Sequence, residues 1–416
     1  MQSKKMKYSS ISLSYFFGHL SIGQLKSMKY TSRAKKFSAI TLSVAYLALI
    51  FSCSATRSQD FISHITDPLY VEIEKSGQEL TIKNNVPGAA VALVRDGKIA
   101  WIQSIGYADL ASKKPVTSET IFNIGSISKL ISAWGFMQLP EKDLVKLDDP
   151  VDSMLSRWHL PESEFDRSKV TLRRILSHTA GLSVHGYGGS DQGTPLLSLE
   201  QSLNGKTKRN GETVHLISEP GTKWDYSGGG YTLAQMLLEE RTNQTFTTYM
   251  KNNIFLPLGM KHSSYEWTSE MMANSATAYD ENGNPIKNRI FTEKAAAGLQ
   301  TTIKNLAHFA ELSITRDPKQ LNKVLKPETI KLMETPVLPN SNEGESGLGY
   351  RFMNYEGFKT VGHTGENVGW SAALFLDLPT KSGIIILCNG SNGDRVWFPI
   401  YQSWLKEIKT KNKFSK

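Results

Sequence analysis

Strand-like runs stand near both ends of this chain, and the long stretch between them reads as helix and loop. Val86 to Tyr107 holds two β-rich runs joined across Asp96-Gly97, a favoured pair for a tight hairpin turn. Far downstream, GLGYRFMNY, FKTVGHTG, GWSAALFLDLP and SGIIILCNG form a second group, separated by turn residues. The simplest arrangement is one antiparallel sheet built from both chain ends, with helices on its faces. That is an α+β fold. The 416 residues suffice for one large domain, or for a domain with a smaller companion.

The middle supplies the helices. Ile124, Ile127, Leu130, Ile131, Trp134 and Met137 recur at helical spacing, and Pro140 is expected to end that helix. VTLRRILSHTAGL reads as a second helix stopping at Gly181. Residues 230–240 and 246–253 are also helical, and another helix follows the turn at Gly298. Arg395 to Ile408 closes the chain as a helix. Residues 183–219 are glycine-rich and irregular, which suits either the wall of a cleft or a surface insertion.

The formal charge of +9 suggests a partner for nucleic acid until its distribution is read. Residues 1–52 carry eight basic residues and no acidic one, so the rest of the chain is nearly neutral. A neutral body exerts little long-range pull on phosphates, and no nucleic-acid partner is expected. RAKK at 33–36 followed by FSAITLSVAYLALIFS reads as an export signal, with an apolar run too short for a full membrane span. Residues 1–53 are therefore expected to be a signal peptide or lipoprotein signal, and Met28 offers an alternative start. IFSC at 50–53 resembles a lipobox, which implies lipid on Cys53 and attachment to a membrane face. The expected location is exported, either periplasmic or held at the membrane as a lipoprotein. Residues 54–80 read as a linker running into an amphipathic helix. Cys388 lies in an apolar strand and reads as a small core residue. The histidines, cysteines and acids make no metal-ligand spacing, and no phosphate loop or dinucleotide fingerprint is present, so neither metal nor cofactor is expected.

The sharpest local signal is Ser126-Ile127-Ser128-Lys129. If these residues open a helix, Ser126 and Lys129 share one face. Serine is a weak nucleophile until a base stands beside it. The apolar residues from Ile121 to Ile131 would desolvate Lys129 and lower its pKa, as a base needs. Alone, the same spacing also fits an N-cap serine with a solvated lysine.

FNIGSISKL resembles the nucleophile motif of the penicillin-recognising serine hydrolases, in the branch with class C β-lactamases, D-stereospecific peptidases and esterases. Tyr226-Ser227-Gly228 is similar to the Tyr-x-Asn motif of that branch, and His363-Thr364-Gly365 to its Lys/His-Thr-Gly motif. LDDPV at 147–151, ILSHTAGL at 175–182 and AAAGLQTT at 295–302 also look familial. The resemblance covers residues 80–408 and implies a serine hydrolase domain over 81–412, with a sheet flanked by helices and a largely helical subdomain near 135–300. It implies that Ser126 is acylated, and that Lys129 and Tyr226 share proton transfer, the phenolate form of Tyr226 acting as base. It further implies an oxyanion hole from the backbone N–H groups of Ser126 and Glu366. Gly228, His363, Thr364 and Gly365 would contact substrate, Gly365 standing where a side chain would obstruct it. His178 is given a structural place.

Three departures bear on substrate. Gly228 replaces an asparagine that can bind an acyl amide. His363 replaces the lysine of the β-lactamases. Glu366 stands where a small residue is usual. Carboxylester hydrolysis is the leading reading. A D-stereospecific peptidase or carboxypeptidase on cell-wall peptides follows, with a β-lactamase and a non-catalytic peptidoglycan-binding protein as further alternatives. The partners expected are a small ester or D-amino-acid peptide, peptidoglycan among the candidates.

Overall fold

The structure, a computed structural model, describes residues 67–207, 211–321, 323–338 and 344–414. The expected signal segment, Met28 and Cys53 lie outside those residues. Helix α1 spans Pro68–Lys83 and starts on proline, whose missing N–H costs nothing in the first turn. Asp67 caps it by accepting from the backbone N–H groups of Leu69 and Tyr70. Strands β1 (Gly88–Arg95) and β2 (Lys98–Asp109) follow as the expected hairpin. Asp96 and Gly97 have φ of 51° and 73°, the left-handed pair whose twist matches the flanking strands. A short β3 (Lys114–Pro115) extends that edge.

Helices α2 (Ile127–Glu141), α3 (Gly228–Thr242) and α4 (Ile303–Thr315) come next among the longer elements. Strands β4 (Arg351–Tyr355), β5 (Phe358–Asn367), β6 (Trp370–Asp377) and β7 (Ser382–Cys388) then lead to α5 (Asp394–Phe414). The seven strands form one sheet in the order β4-β5-β6-β7-β1-β2-β3, with antiparallel pairing throughout. The two chain ends meet at β7 and β1, in register from Ala89 opposite Cys388 to Val94 opposite Gly383.

Side-chain alternation sends successive residues of β1 to opposite faces. Ala90, Ala92 and Val94 join a core with Leu130, Trp134 and Phe309. Ala89, Val91 and Leu93 join a second core with Ile73, Tyr401 and Trp404. The sheet is therefore a middle layer, with α1 and α5 outside it and α2 and α4 inside. The inner core continues into the helical middle of the chain without a break, through Leu172, Tyr231 and Phe246. Cys388 packs in the outer core, and burial pushes its thiol pKa up. No described helix is long and apolar enough to cross a membrane.

Several helix boundaries differ from expectation. The run from Val170 to Gly181 gives only one short helix, Leu172–Leu176. His178 and Gly181 have φ of 58° and 63° and turn the chain back toward Trp224. Pro140 lies inside the last turn of α2, where the missing donor affects a single bond, and Lys142 N–H still reaches Gln138 O. The helical stretch from 246 continues as a π-turn over Lys251–Phe255. The segment after Ala295 is interrupted by a strand, Gln300–Thr302, that pairs with Ile121–Asn123. That pairing holds the chain around Ala296 beside the start of α2.

Candidate active site

Gly125 has φ of 51°, and this left-handed turn swings the chain from the Ile121–Asn123 strand into α2. Ser126 then occupies the N-cap position of α2, but its hydroxyl makes no capping bond. The bland reading of this serine as a helix cap fails on that point. Its Oγ instead accepts from Lys129 Nζ at 3.3 Å. Lys129 is 1% exposed and also donates to Ala296 O at 2.7 Å. Burial, helped by the Arg351 charge, lowers its pKa to about 7.

Tyr226 comes to the same place from the residue before the N-cap of α3. Ser227 caps that helix by accepting from Gly230 N–H at 2.9 Å, and donates to Ser183 O at 2.6 Å. His178 lies against the Tyr226 ring, centroids 4.2 Å apart, and its Nδ1 accepts from Ser227 N–H at 3.1 Å. With Nδ1 engaged and the ring buried, His178 positions the turn, in line with its expected structural place. Burial pushes the Tyr226 phenol up to about 12, against opposing pulls from its hydrogen bond with Ser126 and from Arg351. The resemblance implies a phenolate base at Tyr226, which nearby cations would have to favour. The structure corrects it: cations are present, with Lys129 Nζ 4.9 Å from the ring centre, but desolvation outweighs them. Near neutral pH the phenol keeps its proton, and the amine is the group poised to accept one.

The expected contact residues separate. His363 lines the cavity, and its ring centre lies 6.1 Å from that of Tyr226. Its Nδ1 pairs with the backbone carbonyl of Thr364, while its buried Nε2 has no partner among the described residues. Burial and the charges of Arg351 and Lys129 keep this imidazole neutral. Thr364 and Glu366 also line the cavity. Burial, together with the nearby Asp394, raises the Glu366 carboxyl pKa.

Two glycines need correction. Gly228 is not among the residues lining the cavity; it is buried in the first turn of α3, and its N–H is held by His185 O at 3.0 Å. Gly365 is required for a different reason than room for substrate. A Cβ there would lie 1.9 Å from Ile124 O and 3.0 Å from Ser126 N, so the glycine lets β5 pack on the turn before Ser126. The approach is mutual, since a Cβ on Gly125 would lie 2.5 Å from Glu366 N. These two close approaches bring the backbone nitrogens of Ser126 and Glu366 to one spot.

The cavity that unites these residues has a volume of about 810 Å³. Sequence reasoning missed three of the groups that build it. Asn123 ties the turn together, its Oδ1 accepting from Gly125 N–H at 3.0 Å and from Asn367 Nδ2 at 2.6 Å. His185 lines the wall, its ring 4.7 Å from that of Tyr226, so the beginning of the irregular 183–219 stretch borders the cleft. Arg351 lays its guanidinium over Trp224 and Tyr226, at 5.2 and 5.6 Å from the ring centres. An arginine one residue after Gly349-Tyr350 reads as an exposed strand charge, so only the fold reveals it. Among the described residues, no group of three or more His, Cys, Asp or Glu could hold a metal ion.

The sequence model of the family described as Beta-lactamase matches residues 70–399. Protein flp of Staphylococcus aureus (strain NCTC 8325 / PS 47) is 24% identical over 321 residues, 74% of this chain and 60% of the relative. Penicillin-binding protein 4* of Bacillus subtilis (strain 168) is 30% identical over 182 residues, 44% of this chain and 38% of the relative. The chain thus spans less than two thirds of these relatives' own length. Among solved structures, the octameric penicillin-binding protein homologue from Pyrococcus abyssi superimposes with a TM-score of 0.67 at 26% identity, covering 80% of this chain and 76% of that one. The D-alanine carboxypeptidase AmpC from Burkholderia cenocepacia gives 0.66 at 20% identity, covering 82% and 99%, a likeness of fold alone.

Proposed function

This chain belongs to the beta-lactamase family, and on that premise we propose that it is a serine hydrolase working through an acyl-enzyme on Ser126. The bond from Lys129 Nζ to Ser126 Oγ carries the reading, because the amine making it is buried and lowered to about 7. In this reading the neutral amine takes the hydroxyl proton as Oγ bonds to the substrate carbonyl carbon. The carbonyl oxygen becomes an oxyanion against the N–H groups of Ser126 and Glu366. The bond to the leaving group then breaks, and Tyr226, refilled from Lys129, supplies its proton. Water attacks the acyl carbonyl by the same route in reverse and frees the acid. Glu366 contributes its backbone, while His363 and Thr364 border the substrate.

The substrate class best supported is a carboxylic ester, because Gly228 brings no amide-binding side chain to the cavity. One observation favours a peptide as the second reading. β4 pairs with β5 only as far as Gly362, so no described strand pairs with residues 363–367 on that side. A peptide could add there as a strand, which suits a D-stereospecific peptidase. The basic and apolar run before Cys53 supports export and lipid attachment, with cell-wall peptides then within reach.

The test is hydrolysis of short-chain p-nitrophenyl esters by the full chain and by Ser126→Ala. The variant is expected to lose at least ~10³-fold in kcat while its melting temperature holds. Equal turnover by both proteins would remove Ser126 from the chemistry. Activity on D-alanyl dipeptides but not on esters would favour the peptidase reading.

A further inference from the structure

We propose that Gln235 is a positioning residue that fixes the Ala296 carbonyl against Lys129 and ties it to the helix behind Tyr226, an inference that rests on the serine hydrolase reading above. Gln235 lies about two turns into α3, the helix that Tyr226 leads into, and is 2% exposed. Its amide uses both ends on one neighbouring segment. Nε2 donates to Thr292 O at 3.1 Å, and Oε1 accepts from Ala295 N–H at 3.0 Å. A carbonyl at one end and an N–H at the other fix which way the amide points. Ala295 belongs to the short helix Lys294–Ala297, whose N-cap residue, Glu293, makes no side-chain capping bond. Gln235, from another helix, supplies the acceptor that the first turn lacks.

The far end of this short helix faces the chemistry. Its last carbonyls have no partner within the helix, and side chains near the nucleophile take them in succession. Ser132 Oγ donates to Ala295 O at 3.1 Å, Lys129 Nζ to Ala296 O at 2.7 Å, and Asn367 Nδ2 to Ala297 O at 3.0 Å. Ala296 O is therefore the acceptor that aims the amine, beside the bond to Ser126 Oγ. One buried amide thus joins the helix of the proton donor to the carbonyl that aims the proton acceptor. Without Gln235, Thr292 O and Ala295 N–H lose their partner, and a shift that recovers one moves Ala296 O as well. The bond from an ammonium to a carbonyl is charge-assisted, so weakening it favours the neutral amine. No charge is added or removed in that change. The charged and titratable groups facing Lys129 among the described residues all remain: Arg351 of β4, His363 of β5, His178 and His185 before α3, and Tyr226 and Tyr231 around its start.

Gln235→Met tests this, since it keeps the length of the side chain and removes both bonds. Esterase kcat/KM of the full chain is followed against pH. The acid limb is expected to move down by about 0.5 pH unit or more, and the plateau to fall about tenfold, as for a displaced catalytic group. Gln235→Glu, whose protonated carboxyl offers the same donor and acceptor, is expected to recover part of both. Trp404→Ala, a cavity in the outer core, is expected to lower stability without moving the limb. A Gln235→Met protein that melts lower yet keeps the wild-type limb overturns the proposal. A spectroscopic titration separates this from failure of the chemistry. Wild type and Gln235→Met are grown on lysine isotopically labelled at Cε for NMR. The Lys129 signal is identified by its loss in Lys129→Met, and its shift is followed with pH. A lower midpoint in Gln235→Met supports the positioning role even if no ester is hydrolysed. Equal midpoints overturn it.

Discussion

At the residue scale, the site works by desolvation. The same burial that lowers Lys129 to about 7 raises Tyr226 to about 12, so near neutral pH the phenol keeps its proton while the amine titrates. Esterase kcat/KM should therefore rise about tenfold per pH unit below 7 and level off above it, as Lys129 sheds its proton. Lys129→Arg should remove that rise along with most of the rate, since a guanidinium keeps its proton. A profile in the wild type that climbs only above pH 10 would contradict the assignment. Stability gives an independent check. The folded-state pKa of Lys129 lies below its ordinary 10.5, so the unfolded chain binds more protons between about 7 and 10.5, and the cost of the buried amine fades as pH rises through that range. Lys129→Met should accordingly melt at a higher temperature than the wild type at pH 6, with the gap narrowing by pH 10. Much of this site could be read from the chain, because Ser126, Lys129 and Tyr226 sit in distinctive local phrases. Arg351 and His185 could not, since each gains meaning only from contacts more than forty residues away in sequence, such as Arg351 over Tyr226, and Asn123 adds to its local bond with Gly125 a link to the distant Asn367.

At the scale of single elements, close backbone approach matters more than helix propensity. Gly365→Ala would place a methyl group 1.9 Å from Ile124 O, which β5 can relieve only by moving off the Ser126 turn. Overpacking of this kind costs about 1–3 kcal/mol, and here it should also reduce kcat, because the shift separates the nitrogens of Ser126 and Glu366. Urea melts and ester kinetics on the same variant check both effects. Ser227→Ala removes the cap of α3 and its bond to Ser183 O, with an expected loss of about 1–2 kcal/mol and a larger fall in rate than in stability, since Tyr226 is its neighbour. The hairpin and the downstream strands were legible, since Asp96-Gly97 and the apolar runs carry their own signals. The short helix at 172–176 was not. Its sequence continues a helical pattern, but tertiary bonds at His178 and Asp225 bend the chain away, as in the 2.7 Å bond from Asp225 N to His178 O.

For the whole molecule, both ends of the described chain close the outer face of the sheet. Arg95 of β1 bonds to Asp67 before α1 and to Glu407 of α5, joining the two covering helices through the central sheet. Trp404 of α5 is 1% exposed and packs in the outer core. Trp404→Ala should cost about 3–5 kcal/mol in a urea melt, as expected for a large cavity in the outer core. It should leave the rate of the remaining folded protein nearly intact, because the proposed active site lies on the other side of the sheet. The reach of β7 back to β1 was legible in outline, from strand-like runs at both ends. The register was not, since every residue of β7 is buried and no polar alternation marks its faces.

The most direct test of acyl transfer at Ser126 is intact-mass spectrometry after exposure of the full chain to an alkyl fluorophosphonate, whose serine adduct does not hydrolyse. The expected result is one phosphonyl group per chain, mapped to the Ser126 peptide and lost in Ser126→Ala. An unmodified wild type, or the same adduct on Ser126→Ala, would contradict an activated nucleophile at Ser126.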